Sequence, residues 1–113
     1  MVNQGRRRNA VNPILIEIRL LPIYLNIRVL VLENLNLEKI FEFLQPCSNL
    51  IGLYLKGNRI ITRDLIQIEH LKQLRKVDLS KNGIHYLPDE DKMLQLGKLE
   101  SLLMHKNLIV GWS

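Results

Sequence analysis

A chain of 113 residues has the length of one domain, and a single cysteine excludes an internal disulfide framework. Apolar residues make up 47% and aromatic residues only 5%, so the core must be aliphatic and few rings are available to stack on nucleic-acid bases. The net charge of +5 is uneven: Arg6, Arg7, Arg8 and Arg19 against Glu17 give +3 over residues 1–26, which leaves +2 for the rest.

In chain order, residues 1–12 are polar and basic, carry Gly5, and are expected to form a disordered tail. Arg6–Arg8 read either as a solvated tail or as a nucleic-acid or import signal. Met1–Leu32 is not expected to act as a signal peptide, because Glu17, Arg19 and Arg28 interrupt it and a small-residue cleavage site is missing. The longest uncharged run also falls well short of the ~20 residues of a membrane helix. Residues 13–26 are apolar with Pro13 and Pro22 as breakers, too short for a full repeat, and fit an N-terminal cap. The pattern leaves open whether that cap is a strand or a helical turn.

From residue 27 to 113 one pattern recurs. Leu50–Ile60, Leu74–Ile84 and Leu99–Ile109 each read apolar-x-x-apolar-x-apolar-x-x-Asn-x-Ile, and a weaker copy near Ile27 carries Leu35 in the asparagine place. The copies start near 27, 50, 74 and 99. Their second and third apolar positions, such as Leu53 and Leu55, flank one outward residue, as in a short strand with one buried face. Stacked copies would place these strands about 4.8 Å apart in a parallel sheet. Asn58, Asn82 and Asn107 fall where the chain must leave the sheet, and each is expected to bond main-chain groups of the next coil. Leu35 lacks the amide, which places its coil at an end of the stack.

The crossings between strands repeat apolar residues at three- to four-residue spacing, the pattern of short helical or 3₁₀ turns. The first has Leu37, Ile40, Phe43 or Leu44, Cys47 and Leu50. The second has Ile60, Leu65, Ile68, Leu71 and Leu74, with Thr62 as N-cap. The third has Ile84, Leu87, Met93, Leu94, Leu96 and Leu99, interrupted by a polar turn at 88–92. Their increasing length predicts helix in the second and third. Cys47 takes an inward place and reads as core. His70, His85 and His105 fall at different places of the coil and imply no metal site. Asp89, Glu90 and Asp91 read as a solvated turn, and no catalytic constellation or cofactor loop is present.

This pattern at this period resembles the leucine-rich repeat, and the resemblance implies an α/β solenoid, with a parallel sheet on the concave face and helical or 3₁₀ turns on the convex one. NLNLEKIFEFLQPCSNL at 34–50, LYLKGNRI at 53–60 and IHYLPDEDKMLQLGKLESLLMHKN at 84–107 resemble the leucine-rich repeat and IQ-domain proteins of ciliated cells, over residues 29–109. Their calmodulin-binding IQ motif has no match here. The resemblance implies a non-enzymatic, intracellular scaffold that binds a partner protein along its concave sheet. It leaves open a structural component of an assembly such as a ciliary axoneme, and a nuclear, splicing-type factor using Arg6–Arg8 with Lys56, Lys76, Lys81 and Lys106.

The outward positions form columns: Val31, Tyr54, Asp78 and Leu103; Val29, Gly52, Lys76 and Ser101; Glu33, Lys56, Ser80 and His105; and Asn34, Gly57, Lys81 and Lys106. Val29, Val31, Tyr54, Lys56, Lys76, Asp78, Leu103 and His105 are the candidate protein-binding residues. Apolar side chains there are unusual, and tyrosine is enriched in binding hot spots. The last repeat reaches Ile109, and Trp112 can cover only part of its layer. Another chain, a second copy or further sequence is therefore expected to cover that end.

Overall fold

The repeated apolar positions converge on one interior: Leu50, Leu53, Leu55 and Ile60 of the second unit, and Leu74, Val77, Leu79 and Ile84 of the third, are all buried. The computed structural model describes residues 12–112; the expectations for the Arg6–Arg8 tail and for the Trp112 side chain fall outside what it describes. It is a mixed α/β fold. Helix α1 (Pro13–Arg19) and a 3₁₀ turn (Tyr24–Asn26) precede strand β1 (Val29–Val31). Helix α2 (Ile40–Leu44) leads to β2 (Gly52–Tyr54), and α3 (Thr62–Leu65) runs into a second 3₁₀ turn (Ile66–His70) before β3 (Lys76–Asp78). Strand β4 (Tyr86–Leu87) and helix α4 (Glu90–Leu94) come next, then β5 (Ser101–Leu103) and β6 (Gly111–Trp112).

Strands β1, β2, β3 and β5 form a parallel sheet in that order. Val29 stands opposite Gly52, Gly52 opposite Lys76 and Lys76 opposite Ser101, offsets of 23, 24 and 25 residues. Parallel neighbours cannot be joined by a tight turn, so each pairing forces a crossing, and every crossing holds a short helix. The first was expected to be the least helical, yet α2 is as long as α4, five residues each. The reason is burial: Ile40, Phe41, Phe43 and Leu44 all lie in the core, and packing outweighs crossing length.

The asparagines close each unit against the one before it, not the next one as the sequence reading had it. Asn58 Oδ1 accepts the N–H groups of Leu35 (3.1 Å) and Leu37 (2.9 Å), while its Nδ2 donates to the carbonyls of Leu32 (2.7 Å) and Leu55 (2.9 Å). Asn82 likewise bonds Ile60 N–H and the carbonyls of Leu55, Leu79 and Ser80, and Asn107 bonds Ile84 N–H and the carbonyls of Leu79 and Met104. The direction follows from the bend, which turns the carboxamide back along the strand order. The residue before each of these places takes a left-handed backbone in all four units: Asn34 (φ 57°), Gly57 (75°), Lys81 (53°) and Lys106 (56°). Only Gly57 adopts it without a Cβ penalty, and a Cβ there would also collide with Asn34 Oδ1.

Three local expectations change. Thr62 is the first residue of α3 rather than its N-cap; its hydroxyl instead accepts the N–H groups of His85 (2.9 Å) and Tyr86 (3.1 Å), tying the second crossing to the third. The acidic turn at 88–92 is the start of α4: Asp89 caps it by accepting Asp91 N–H at 2.8 Å, and negative charge suits a helix start. Leu94 was expected inward but is exposed, because α4 turns Met93 toward the core instead. Beyond the asparagine bends, β4 and β6 make a second, two-stranded parallel ladder, which the apolar pattern does not signal.

The cap is helical. Asn12, the last residue assigned to the tail, accepts Ile14 N–H at 2.9 Å and starts α1, with Pro13 at its first position. Tyr24 holds the cap to α2: its hydroxyl donates to the Phe43 carbonyl, its ring centroid lies 5.3 Å from that of Phe43, and the Arg19 guanidinium lies 5.0 Å from the Phe43 centroid. Cys47 is core, as expected, and its thiol donates to the Tyr24 carbonyl at 3.4 Å. Burial, with Cys47 beside it, pushes the Tyr24 phenol up to about 12 against the opposing Arg19 charge, and burial also raises the Cys47 thiol.

Two outcomes follow. Replacing Asn82 by alanine strands Ile60 N–H and a carbonyl in the interior at about 1–3 kcal/mol, so its urea midpoint should fall well below that of Glu38→Ala, an exposed change; equal midpoints would refute the role given to the amide. The Tyr24 phenol titrates higher folded than unfolded, so its contribution is complete below pH 10 and is lost as pH rises from 10 toward 12. Cys47 acts in the same direction. Thermal melts should therefore show a shallower loss of stability over that range in Tyr24→Phe than in wild type.

Candidate functional site

The outward face of the parallel sheet brings the predicted columns together in register. One row is Val29, Gly52, Lys76 and Ser101; the next is Val31, Tyr54, Asp78 and Leu103. Alternation on β1 buries Leu30 and leaves Val29 and Val31 58% and 59% exposed. These are large fractions for valine in a strand. Tyr54 is half-buried, and its ring lies beside Gly52. A Cβ built on Gly52 would lie 3.2 Å from Tyr54 Cε2 and 3.6 Å from both Val29 methyl groups. The absent side chain makes the floor on which the tyrosine ring and the Val29 methyls converge. Val29, Val31 and Tyr54 therefore form one apolar patch over β1 and β2.

The remaining candidates divide. Leu103 is exposed on the same face but two strands from Tyr54, about 10 Å at ordinary strand spacing. Asp78 stands between them, its carboxylate accepting Ser80 N–H at 3.0 Å. The apolar column is thus interrupted, and Leu103 does not join the β1–β2 patch. Lys76 is exposed and Lys56 half-buried. His105 is exposed, with Nδ1 2.9 Å from Ser80 Oγ. Ser80 itself, placed among the outward residues by its column, is fully buried, as is Gly52. The serine is small and sits where the chain starts to bend inward, so the hydroxyl is closed off beneath the imidazole. Buried Ser80 offers no nucleophile to a substrate; the pair fastens the third unit to the fourth.

Among the described residues no group of histidine, cysteine, aspartate and glutamate side chains is arranged to hold a metal ion, and no helix is long and apolar enough to cross a membrane. Sequence reasoning missed the part played by Gly52. Its signal was the loss of a side chain at one outward position beside an aromatic one. No protein-family model and no curated protein matches this chain.

The glycine floor has a direct readout. Gly52→Val places methyl groups where the Tyr54 ring lies and should displace it. A nuclear Overhauser contact between the Val29 methyls and the Tyr54 ring, expected in wild type, should disappear in the variant. Its persistence would mean that the ring does not rest on Gly52.

Proposed function

We propose that the chain is a leucine-rich repeat solenoid and a non-enzymatic module that binds a partner protein through the outward face of its sheet. Four units with matching strand register, matching left-handed bends and an asparagine in three of them support the repeat reading. The observation that carries the binding reading is the patch of Val29, Val31 and Tyr54. Two exposed valines beside a ring packed over a glycine give an apolar anchor of low rotamer entropy. Lys56, Lys76, Asp78 and His105 border it and supply the polar contacts that select the partner. Leu103 serves as a separate contact toward the β5 edge.

The test compares immobilised wild type with Val31→Ser/Tyr54→Ser in extracts of the source cells. Proteins identified by mass spectrometry that bind wild type, fail to bind the double variant and stay bound as salt is raised support the proposal. An unchanged circular dichroism spectrum ensures that the loss is local. Identical bound sets would overturn it. Retention of nucleic acid that falls steeply with salt would favour the basic residues instead.

A further inference from the structure

Strands β2 and β3 each have a strand on either side, so the fold itself sets their outward side chains. The column that holds Val31 and Tyr54 runs between two columns that hold lysine. Lys76 lies on one side of it and Lys56 on the other, with Lys81 just beyond. Outward positions on one strand are about 6.7 Å apart, so both rows lie within a lysine's reach of the Val31–Tyr54 patch.

The charge on this face is one-sided. Lys56, Lys76, Lys81 and Lys106 stand against Glu33 and Asp78, whereas the rest of residues 12–112 balances nine basic residues with nine acidic ones. Three cations elsewhere have local partners: Arg75 lies 4.0 Å from Glu100, and the Lys72 and Lys98 ammonium groups donate to Gln95 and Gln73. The four lysines of the face bond no carboxylate or side-chain amide among the described residues. Lys81 adds a backbone argument. Its φ of 53° is the left-handed conformation that Gly57 takes freely in the unit before. A Cβ there is unfavourable, and such strain is retained where a side chain has a use.

We propose that the partner segment is an acidic peptide with an aliphatic or aromatic residue at its centre. That residue enters the Val31–Tyr54 patch, and Asp or Glu side chains beside it meet Lys76 on one flank and Lys56 and Lys81 on the other. The inference rests on the reading that this face binds a protein, and it gives that protein its chemistry. A nucleic acid has the right sign of charge but fits the face less well. Its phosphates would meet Glu33 and Asp78 among the lysines. Tyr54, the single aromatic residue of the columns, rests beside Gly52 and does not stand free as a platform for bases. A peptide can instead set an N–H donor over Asp78 and its acids elsewhere. Exposed ion pairs of this kind choose the partner more than they hold it.

Titration of isotope-labelled protein, followed by amide chemical shifts, tests it with two synthetic peptides. One repeats a glutamate pair and a leucine, and the other has glutamine in place of every glutamate. The Glu/Leu peptide should shift the amides of Tyr54, Lys56, Lys76 and Lys81 and bind about tenfold more tightly than the Gln/Leu peptide. Lys56→Gln/Lys81→Gln should weaken it about tenfold, whereas Arg63→Gln/Lys72→Gln, which removes the same charge away from the face, should change it less than about twofold. An unchanged urea midpoint verifies each fold. Equal affinity for the two peptides, or no binding of either, would overturn the inference. If Val31→Ser/Tyr54→Ser still loses proteins in the extract experiment above, the binding reading stands without it. Equal losses in the two charge variants would also overturn it, since net charge alone would then attract the peptide. So would a thymidine oligonucleotide that binds more tightly than the Glu/Leu peptide, because the lysines would then serve phosphates.

Discussion

A chain that leaves a three-residue strand and bends under an aliphatic sheet carries its N–H and C=O groups into a place that water does not reach. An unpaired group there costs more than a paired one returns, about 1–3 against 0.5–1.5 kcal/mol. The carboxamide is the side chain able to answer both kinds at once, and Asn58 makes four such bonds at 2.7–3.1 Å. Burial of leucine and isoleucine, at about 1.5–3 kcal/mol per side chain, supplies more of the stability. The amides decide where the chain bends, and hence which side chains face the core and which face outward.

That bend also explains why the outward face is not uniform. Its third column, which contains Lys56, Ser80 and His105, lies where the chain is already turning, so Ser80 is enclosed while Lys56 is half-covered. Farther from the bend, side-chain size decides exposure. Gly52 gives up its own side chain and the Tyr54 ring settles over it. The apolar patch is as much a product of that vacancy as of the valines beside it.

The parallel sheet, the strand register and most of the core were legible in the sequence because they depend on spacing, and spacing survives in a linear text. Leu53 and Leu55 announce a strand wherever it packs. What was not legible depends on direction in space. Nothing in the order of residues says that Asn58 reaches back to Leu35 and Leu37, or that the Thr62 hydroxyl serves the next crossing instead of its own helix. Leu94 and Met93 are adjacent and equally apolar, and only the seating of α4 against the 3₁₀ turn chooses between them. For the site, the columns were readable by counting, whereas the interruption at Asp78 and the floor at Gly52 needed coordinates.

The backward reach of the asparagines gives the fold a polarity in its small fluctuations. The N–H groups of Leu35 and Leu37 are held by Asn58, that of Ile60 by Asn82 and that of Ile84 by Asn107. Each unit's bend is thus locked by its successor. An opening that frees the fourth unit releases Ile84 before it disturbs Ile60, while loosening the cap leaves all of these locks in place. Exchange of amide hydrogen with solvent in the native state is consequently graded along the stack, with fraying that enters from β5 and loses its reach one asparagine at a time.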